Sequence, residues 1–356
     1  MSQAESSVFA ATAFRADSIS ALPENPRKRE RVGDELQPVG CYGNADPYLG
    51  VLTDAEALQK HEIDDPDFKE DVWWWDHQRI RFLNGKLGLK FLVLAIPFAW
   101  IMTLVVGGLA LAVLGVVRLT EYYELPALLY LTLLVILVPG WLIFSLWIVR
   151  PTTNWIMGKG IAVLIRPFEN FFNRKLDQTL DDGCSEFNRL TGQVRFALGR
   201  GKFFGAPFVE FDAYVERVVQ QGGIFYRLML VHRYTGKTFN QTSLSNIEPE
   251  KSEVLALWDM LQRFMDVTQP LPDVPRLEPF RHLDPVTRQR DEEVGRDPRY
   301  WRDLDIEAWK QGGGIELLNR LRSYPWGSRV CKLTPQLGKV SLKEYREMRP
   351  EGAWPI

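Results

Sequence analysis

The chain has 356 residues, with 43 Lys and Arg against 45 Asp and Glu, a formal net charge of −2, and 46% hydrophobic residues. This length suggests two or three units, and the balanced charge excludes a whole-chain electrostatic argument for nucleic acid as partner. Three cysteines (Cys41, Cys184, Cys331) and four histidines (His61, His77, His232, His282) are scattered without CxxC or ligand spacing, so no disulfide framework, metal site or cofactor is expected.

Residues 1–65 are rich in Ser, Ala, Glu, Pro and Arg and lack the basic start and apolar stretch of a secretory signal. The basic cluster RKRER at 27–31 reads as a nucleic-acid patch or as a solvated tail. Glu24, Asp34 and Glu35 beside it favour a mostly disordered tail. Within it, Thr53, Asp54 and Glu56 suit the start of a short helix running to His61. Residues 66–90 carry Trp73, Trp74 and Trp75, then Arg79, Arg81, Lys86 and Lys90. Tryptophan favours the headgroup zone and basic side chains lift their charge to it, so an interfacial helix is expected here.

Residues 91–149 dominate the chain. Two uncharged apolar runs, 91–117 and 125–149, each exceed the roughly 20 residues that a helix needs to cross hydrocarbon. A two-helix transmembrane hairpin is expected, with Gly107, Gly108 and Gly115 offering close helix contact and Pro97 and Pro139 permitting kinks. Neither run holds Asp, Glu, Lys, Arg or His, which favours an anchor over a transporter. Cations flank both outer ends, whereas the connection RLTEYYE carries one Arg and two Glu, so both termini are expected in the cytoplasm.

Residues 151–285 read as a cytosolic α+β domain. FNRLTGQVRF, 187–196, is strand, turn and strand, with Thr191 and Gly192 at the bend. Residues 208–220 continue the alternation, and 224–234 form the clearest strand. The period then changes: Leu255, Trp258, Leu261, Phe264 and Met265 share one helix face before Pro270 and Pro272 end it. Antiparallel strands closed by a C-terminal amphipathic helix are also the order of pleckstrin-homology-like barrels. A basic mouth of Arg195, Arg200 and Lys202 would suit lipid or a protein partner, with Arg227 and Arg233 as further candidates. Residues 286–356 are charged and aromatic. Trp301, Leu304, Ile306 and Trp309 form either a short docking helix or a segment that folds on a partner, and Trp301 and Trp309 are its binding candidates.

Catalytic chemistry is not expected. The Gly-Lys pairs at 158, 201 and 236 lack the Gly that a phosphate loop needs five places earlier, where Thr153, Phe196 and Val231 stand. HExxH and GxSxG are absent, and Asp181 and Asp182 read as a solvated pair.

FNRLTGQV on a hairpin, meandering strands, a helix centred on LALWDMLQRFM and a proline-rich exit, all preceded by two spans, resemble a bacterial family of unknown function. That family has a two-span hairpin and a cytosolic FNR-containing domain and often lies beside type VI secretion effectors. The resemblance implies a two-span inner-membrane protein that binds a protein partner, as an immunity protein neutralising a toxin by occlusion. The alternative is a membrane scaffold or lipid-sensing accessory, and a homo-oligomer fits either. It transfers no catalytic residue; Phe187 is expected in the core, with Asn188 and Arg189 fixing the turn.

Overall fold

The computed structural model describes residues 9–26, 33–36, 50–64, 75–83, 97–123, 126–156, 184–199, 201–220, 223–239 and 247–356. The chain divides into two compact units: Met1–Gly85 together with Leu180–Ile356, and Lys86–Thr179 between them.

The inserted unit is a helical hairpin. Its helices, α2 (Pro97–Tyr123) and α3 (Ala127–Trp155), are long and apolar enough to cross a membrane. Only 6% of the most apolar window of each is buried, and Leu111, Leu131, Val135, Ile143 and Leu146 stand exposed. A helix in the core of a soluble protein would bury such a face. The expected connection at Arg118 is instead helical, because α2 continues to Tyr123. Gly108 makes the close contact: a Cβ there would collide with the Trp141 ring. A π-helical turn, Thr103–Gly107, lies just before it, and the Leu104 carbonyl accepts from the Trp141 indole N–H at 3.0 Å. Such a turn shifts backbone bonding and makes a carbonyl available to a side chain. A Cβ at Gly115, by contrast, would meet nothing within 4 Å among the described residues.

Among its described residues the other unit holds two four-stranded antiparallel sheets. One has the order β1-β6-β7-β8, from β1 (Asp34–Glu35), β6 (Phe211–Gln220), β7 (Gly223–His232) and β8 (Thr238–Phe239). The other has the order β2-β3-β4-β5, from β2 (Arg79–Leu83), β3 (Cys184–Asn188), β4 (Gln193–Gly199) and β5 (Lys202–Pro207). Alternation sets the faces: Ile80, Phe82, Val194 and Phe196 are buried while Arg195 points outward. At the β3–β4 bend Gly192 has φ +69°, and a Cβ there would strike the backbone of Thr12 and Phe14. Phe187, Phe196, Phe204, Phe208 and Phe211 are almost fully buried in one core, where the Phe196 and Phe239 rings stack at 4.1 Å.

Two expectations change. Residues 79–83 are not part of an interfacial helix. Ile80 and Phe82 enter the core at period two, and β2 pairs with β3 from Arg79↔Asn188 to Leu83↔Cys184. Trp75 is buried in the same core beneath Arg276, whereas Trp73 and Trp74 lie outside the described residues. Second, the described parts of residues 1–65 are built into this unit: Phe14, Leu22 and Leu36 are buried, β1 pairs with β6, and α1 (Val51–Asp64) buries Ala55 and Leu58. Apolar residues spaced too widely to show a period supply these contacts.

Residues 286–356 take the docking alternative, with Trp301, Leu304, Ile306 and Trp309 packed on Ala55 and Leu58, and they cover more than expected. The helix α4 (Lys251–Met265) packs one face on β6 and β7. Its other face is covered as well: Ala256 meets Leu317 and Leu321, and the buried Asp259 pairs with Arg329. An amphipathic pattern that predicts one buried face therefore understates how much of α4 is enclosed.

Candidate functional site

The C-terminal part of the soluble unit forms a cleft of about 380 Å³. It begins where α4 ends. Arg189, fully buried, donates to the carbonyls of Phe264, Asp266 (2.9 Å) and Gln269 (2.8 Å), satisfying orphan acceptors at that helix end. A 3₁₀ stretch, Pro275–Leu283, then leads to α5 (Pro285–Val294), whose first turn is capped by Asp284 through the Thr287 amide at 2.9 Å. Arg281 bridges the two. It grips Asp291 bidentately at 2.7 and 2.6 Å and donates to the carbonyls of Leu271 and Pro272.

Gly295, with φ +63°, ends α5 and turns the chain so that Arg296 reaches Asp273 (2.9 and 2.7 Å) and Glu278 (2.9 Å). Burial disfavours the Arg296 charge, but the two carboxylates outweigh it and hold its pKa above the usual value. Burial pushes the Glu278 carboxyl up, only partly offset by hydrogen bonds from the Trp301 amide and Arg296. This ionic frame positions Trp301. Its amide donates to Glu278 at 2.8 Å, its indole N–H donates to Asp273 at 2.9 Å, and its carbonyl accepts from Gln59 of α1 at 3.2 Å.

Trp309, on α6 (Ile306–Gln311), meets Trp301 edge to face with centroids 6.2 Å apart. Gly313 and Gly314 open α7 (Gly313–Ser323), and a Cβ on either would press into the Trp309 ring. Both tryptophans are therefore held by neighbours that leave them little freedom. Arg263 of α4, Arg320 of α7, Tyr300 and Leu317 complete the walls. The lining holds three arginines and one aspartate, Asp273.

Of the candidate binding residues named from sequence, Trp301 and Trp309 line this cleft. Arg195 lies outward on β4, over the Phe203 ring at 4.5 Å and 3.8 Å from Glu186. Lys202 is exposed at the start of β5, and Arg200 lies outside the described residues. Arg227 pairs with Glu216 across β6 and β7. Arg233 is buried, bonded to Asp212 at 3.0 and 2.7 Å and to the Val209 carbonyl at 2.8 Å. That guanidinium contributes to internal structure rather than to an open mouth. Arg263, Arg281, Tyr300 and Arg320 were not named, and no local pattern marks them. They come from segments that only folding assembles.

A second ionic hub belongs to the architecture. Glu210, fully buried, faces His232 Nε2 at 2.7 Å and accepts from Tyr345 (2.9 Å) and from Arg349 twice at 2.8 Å. It ties α8 (Leu342–Met348) and the chain end to the β5–β6 junction. Among the described residues no group of three or more His, Cys, Asp or Glu is arranged to hold a metal ion. Comparison with protein-family models, with curated proteins and with solved structures finds no match.

Proposed function

We propose that this chain is a membrane-anchored protein-binding protein whose soluble unit offers the tryptophan–arginine cleft to a partner. The observation that carries the reading is the composition and rigidity of that cleft. Arg, Trp and Tyr are the residues that dominate binding energy at protein interfaces, and here two tryptophans, a tyrosine and three arginines share one concavity. Anchors held in place before binding lose little entropy on contact.

The hairpin crosses a bacterial inner membrane in this reading, with both termini cytoplasmic. Support comes from the pairing of β2 with β3, which precede and follow the hairpin in the chain, because hydrogen-bonded strands must share one side of a bilayer. The narrower form, an immunity protein that neutralises a type VI toxin by occlusion, is carried by the short resemblance around FNRLTGQV. Its test is co-expression with the neighbouring effector. Protection and a stoichiometric complex support it, and loss of both removes it.

A second reading, a lipid-sensing scaffold of pleckstrin type, is favoured by exposed Lys202 and half-exposed Arg195 on adjacent strands. Flotation of the full-length chain reconstituted in vesicles cannot test surface recognition, because the hairpin alone would anchor it. A fusion of 1–85 to 180–356 through a flexible linker is the suitable protein, since 151–356 lacks β1, α1 and β2. Flotation with anionic but not neutral vesicles would favour this second reading.

A further inference from the structure

We infer that the end of the β2-β3-β4-β5 sheet marked by the β4–β5 bend faces the bilayer, and that Lys202 there contacts the phosphates of lipid headgroups. This deepens the membrane-anchored reading above and rests on it.

Strand register puts that bend at the end of the sheet where the chain leaves for the apolar helices and returns from them. β2 ends at Leu83, β3 begins at Cys184, and the two are partners in the ladder. β4 runs antiparallel to β3, with Glu186 opposite Arg195 and Asn188 opposite Gln193, so its last residues lie beside the first of β3. The Ala197 amide accordingly donates to Ser185 Oγ at 3.0 Å. β4 then turns into β5, and Gly199 pairs with Lys202. Leu83, Cys184 and Lys202 therefore stand at one end, with β5 about 14 Å across from β2 at the usual strand spacing. The β3–β4 bend is at the other end, where Gly192 meets Thr12.

The tether to the bilayer is short. Only residues 84–90 separate Leu83 from the uncharged run that starts at Phe91. Fully extended, that stretch reaches about 28 Å, and headgroups occupy about 5–7 Å on each side of the hydrocarbon. Residues 157–183 tie Cys184 to the second apolar helix at the same end. Two tethers at one end keep it toward the bilayer, raise the effective concentration of lipid there and let a weak contact persist. The side chains suit that zone. Lys202 is exposed and, among the described residues, has no ion pair. Its ammonium can reach a phosphate while the methylene stem lies along apolar surface. Phe203, beside it, is half-buried outside the core that holds Phe204, and the Arg195 guanidinium lies 4.5 Å from its ring. Arg195 also faces Glu186 at 3.8 Å, so the charge offered to phosphate is that of Lys202.

The test uses the full-length protein reconstituted in vesicles of phosphatidylcholine and phosphatidylglycerol, with resistance to alkaline carbonate as the readout of anchoring. Cys41→Ser leaves the buried Cys184 and Cys331, so an added exposed cysteine takes a fluorophore selectively. Lipid carrying a nitroxide on its headgroup should quench a fluorophore at Lys202→Cys about threefold more than one at Thr12→Cys, an exposed site a strand length away at the other end of the sheet. A fluorophore at Arg195→Cys should be quenched to an intermediate degree, and adding Lys202→Glu should lower that quenching about twofold, because like charge repels the anionic lipid. Retention in carbonate with equal quenching at 202 and 12 would overturn the inference and leave the anchor standing. Release by carbonate would overturn both. Unchanged quenching at 195 in Lys202→Glu would overturn the contact assigned to the lysine.

Discussion

Ile80 and Phe187 stand opposite each other in adjacent antiparallel strands, although the entire helical hairpin lies between them in the chain. Both side chains are fully buried, and Phe187 packs against Phe82, Phe196 and Phe208 at centroid distances of 5.9 to 6.2 Å. The hairpin is thus an insertion within a β-meander, and the soluble core closes only when its two ends return to one place. Phe187→Ala should cost about 3–5 kcal/mol by the usual price of a buried phenylalanine. Denaturation followed by tryptophan fluorescence would read the loss.

The same pairing makes a topological prediction. In a background with Cys41, Cys184 and Cys331 replaced, single cysteines at Arg79, Arg195 and Tyr122 are treated with a membrane-impermeant maleimide on intact spheroplasts. Tyr122→Cys, 80% exposed at the far end of α2, should label from outside, and the other two only after permeabilisation. Labelling of Arg79→Cys and Arg195→Cys from opposite sides is incompatible with the β2–β3–β4 ladder.

Within the hairpin, Gly108→Val should separate the helices around Trp141, because its Cβ and methyl groups need the volume of the indole ring. Trp141→Phe keeps most of the packing and loses only the bond to the Leu104 carbonyl, about 0.6 to 2 kcal/mol for a polar contact between membrane helices. Thermal unfolding in detergent should therefore rank wild type, Trp141→Phe, then Gly108→Val. A Gly108→Val protein as stable as wild type contradicts this packing.

Arg349→Ala leaves Glu210 buried beside Tyr345 and His232 without its bidentate partner. Breaking a buried pair in this way costs about 3–5 kcal/mol, and Arg349→Lys should recover only part because ammonium cannot fork. Burial alone would raise the Glu210 pKa, but hydrogen bonds from His232 and Arg349 bring it below the usual carboxylate value of 4.5. The stabilisation it contributes is present above that value and lost as pH falls through the lower folded value. The gap in melting temperature between wild type and Arg349→Ala should accordingly narrow as pH falls below 4.5.

Glu253 behaves in the opposite sense. Burial, followed by the charges of Glu248 and Glu250, pushes its pKa from 4.5 to about 7. Its folded form binds the proton more tightly than the unfolded chain, so its ionisation costs stability progressively as pH rises from about 4.5 to 7. Because the group is half-buried, solvent screening reduces that cost to the order of 1 kcal/mol. Glu253→Gln should raise the melting temperature at pH 8 and change it little near pH 4.5. No difference at pH 8 would show that the shift carries no stability.

The FNR stretch illustrates how local pattern and tertiary structure divide the work. Phe187 occupies the core, and Asn188 secures the turn by accepting from the Thr191 amide at 3.1 Å. Arg189 instead reaches across the molecule to the end of α4. Nothing next to an arginine in sequence reveals which distant carbonyls it will satisfy.

From sequence alone, the two long apolar helices, the β3–β4 hairpin and the amphipathic α4 were legible, because each rests on a short-range signal: run length, a glycine bend, a helical period. Tertiary structure alone decided that residues 79–83 are a strand, that the described parts of the first 65 residues belong to the soluble unit, and that both faces of α4 are covered. It also decided the cleft. Arg263, Asp273, Trp301 and Arg320 have no common period or motif, and they meet because the ionic frame of Arg281, Arg296 and Glu278 folds the segments between them back onto α4. Charge pairing and burial act through space at distances of a few ångströms, and separation along the chain does not encode that distance.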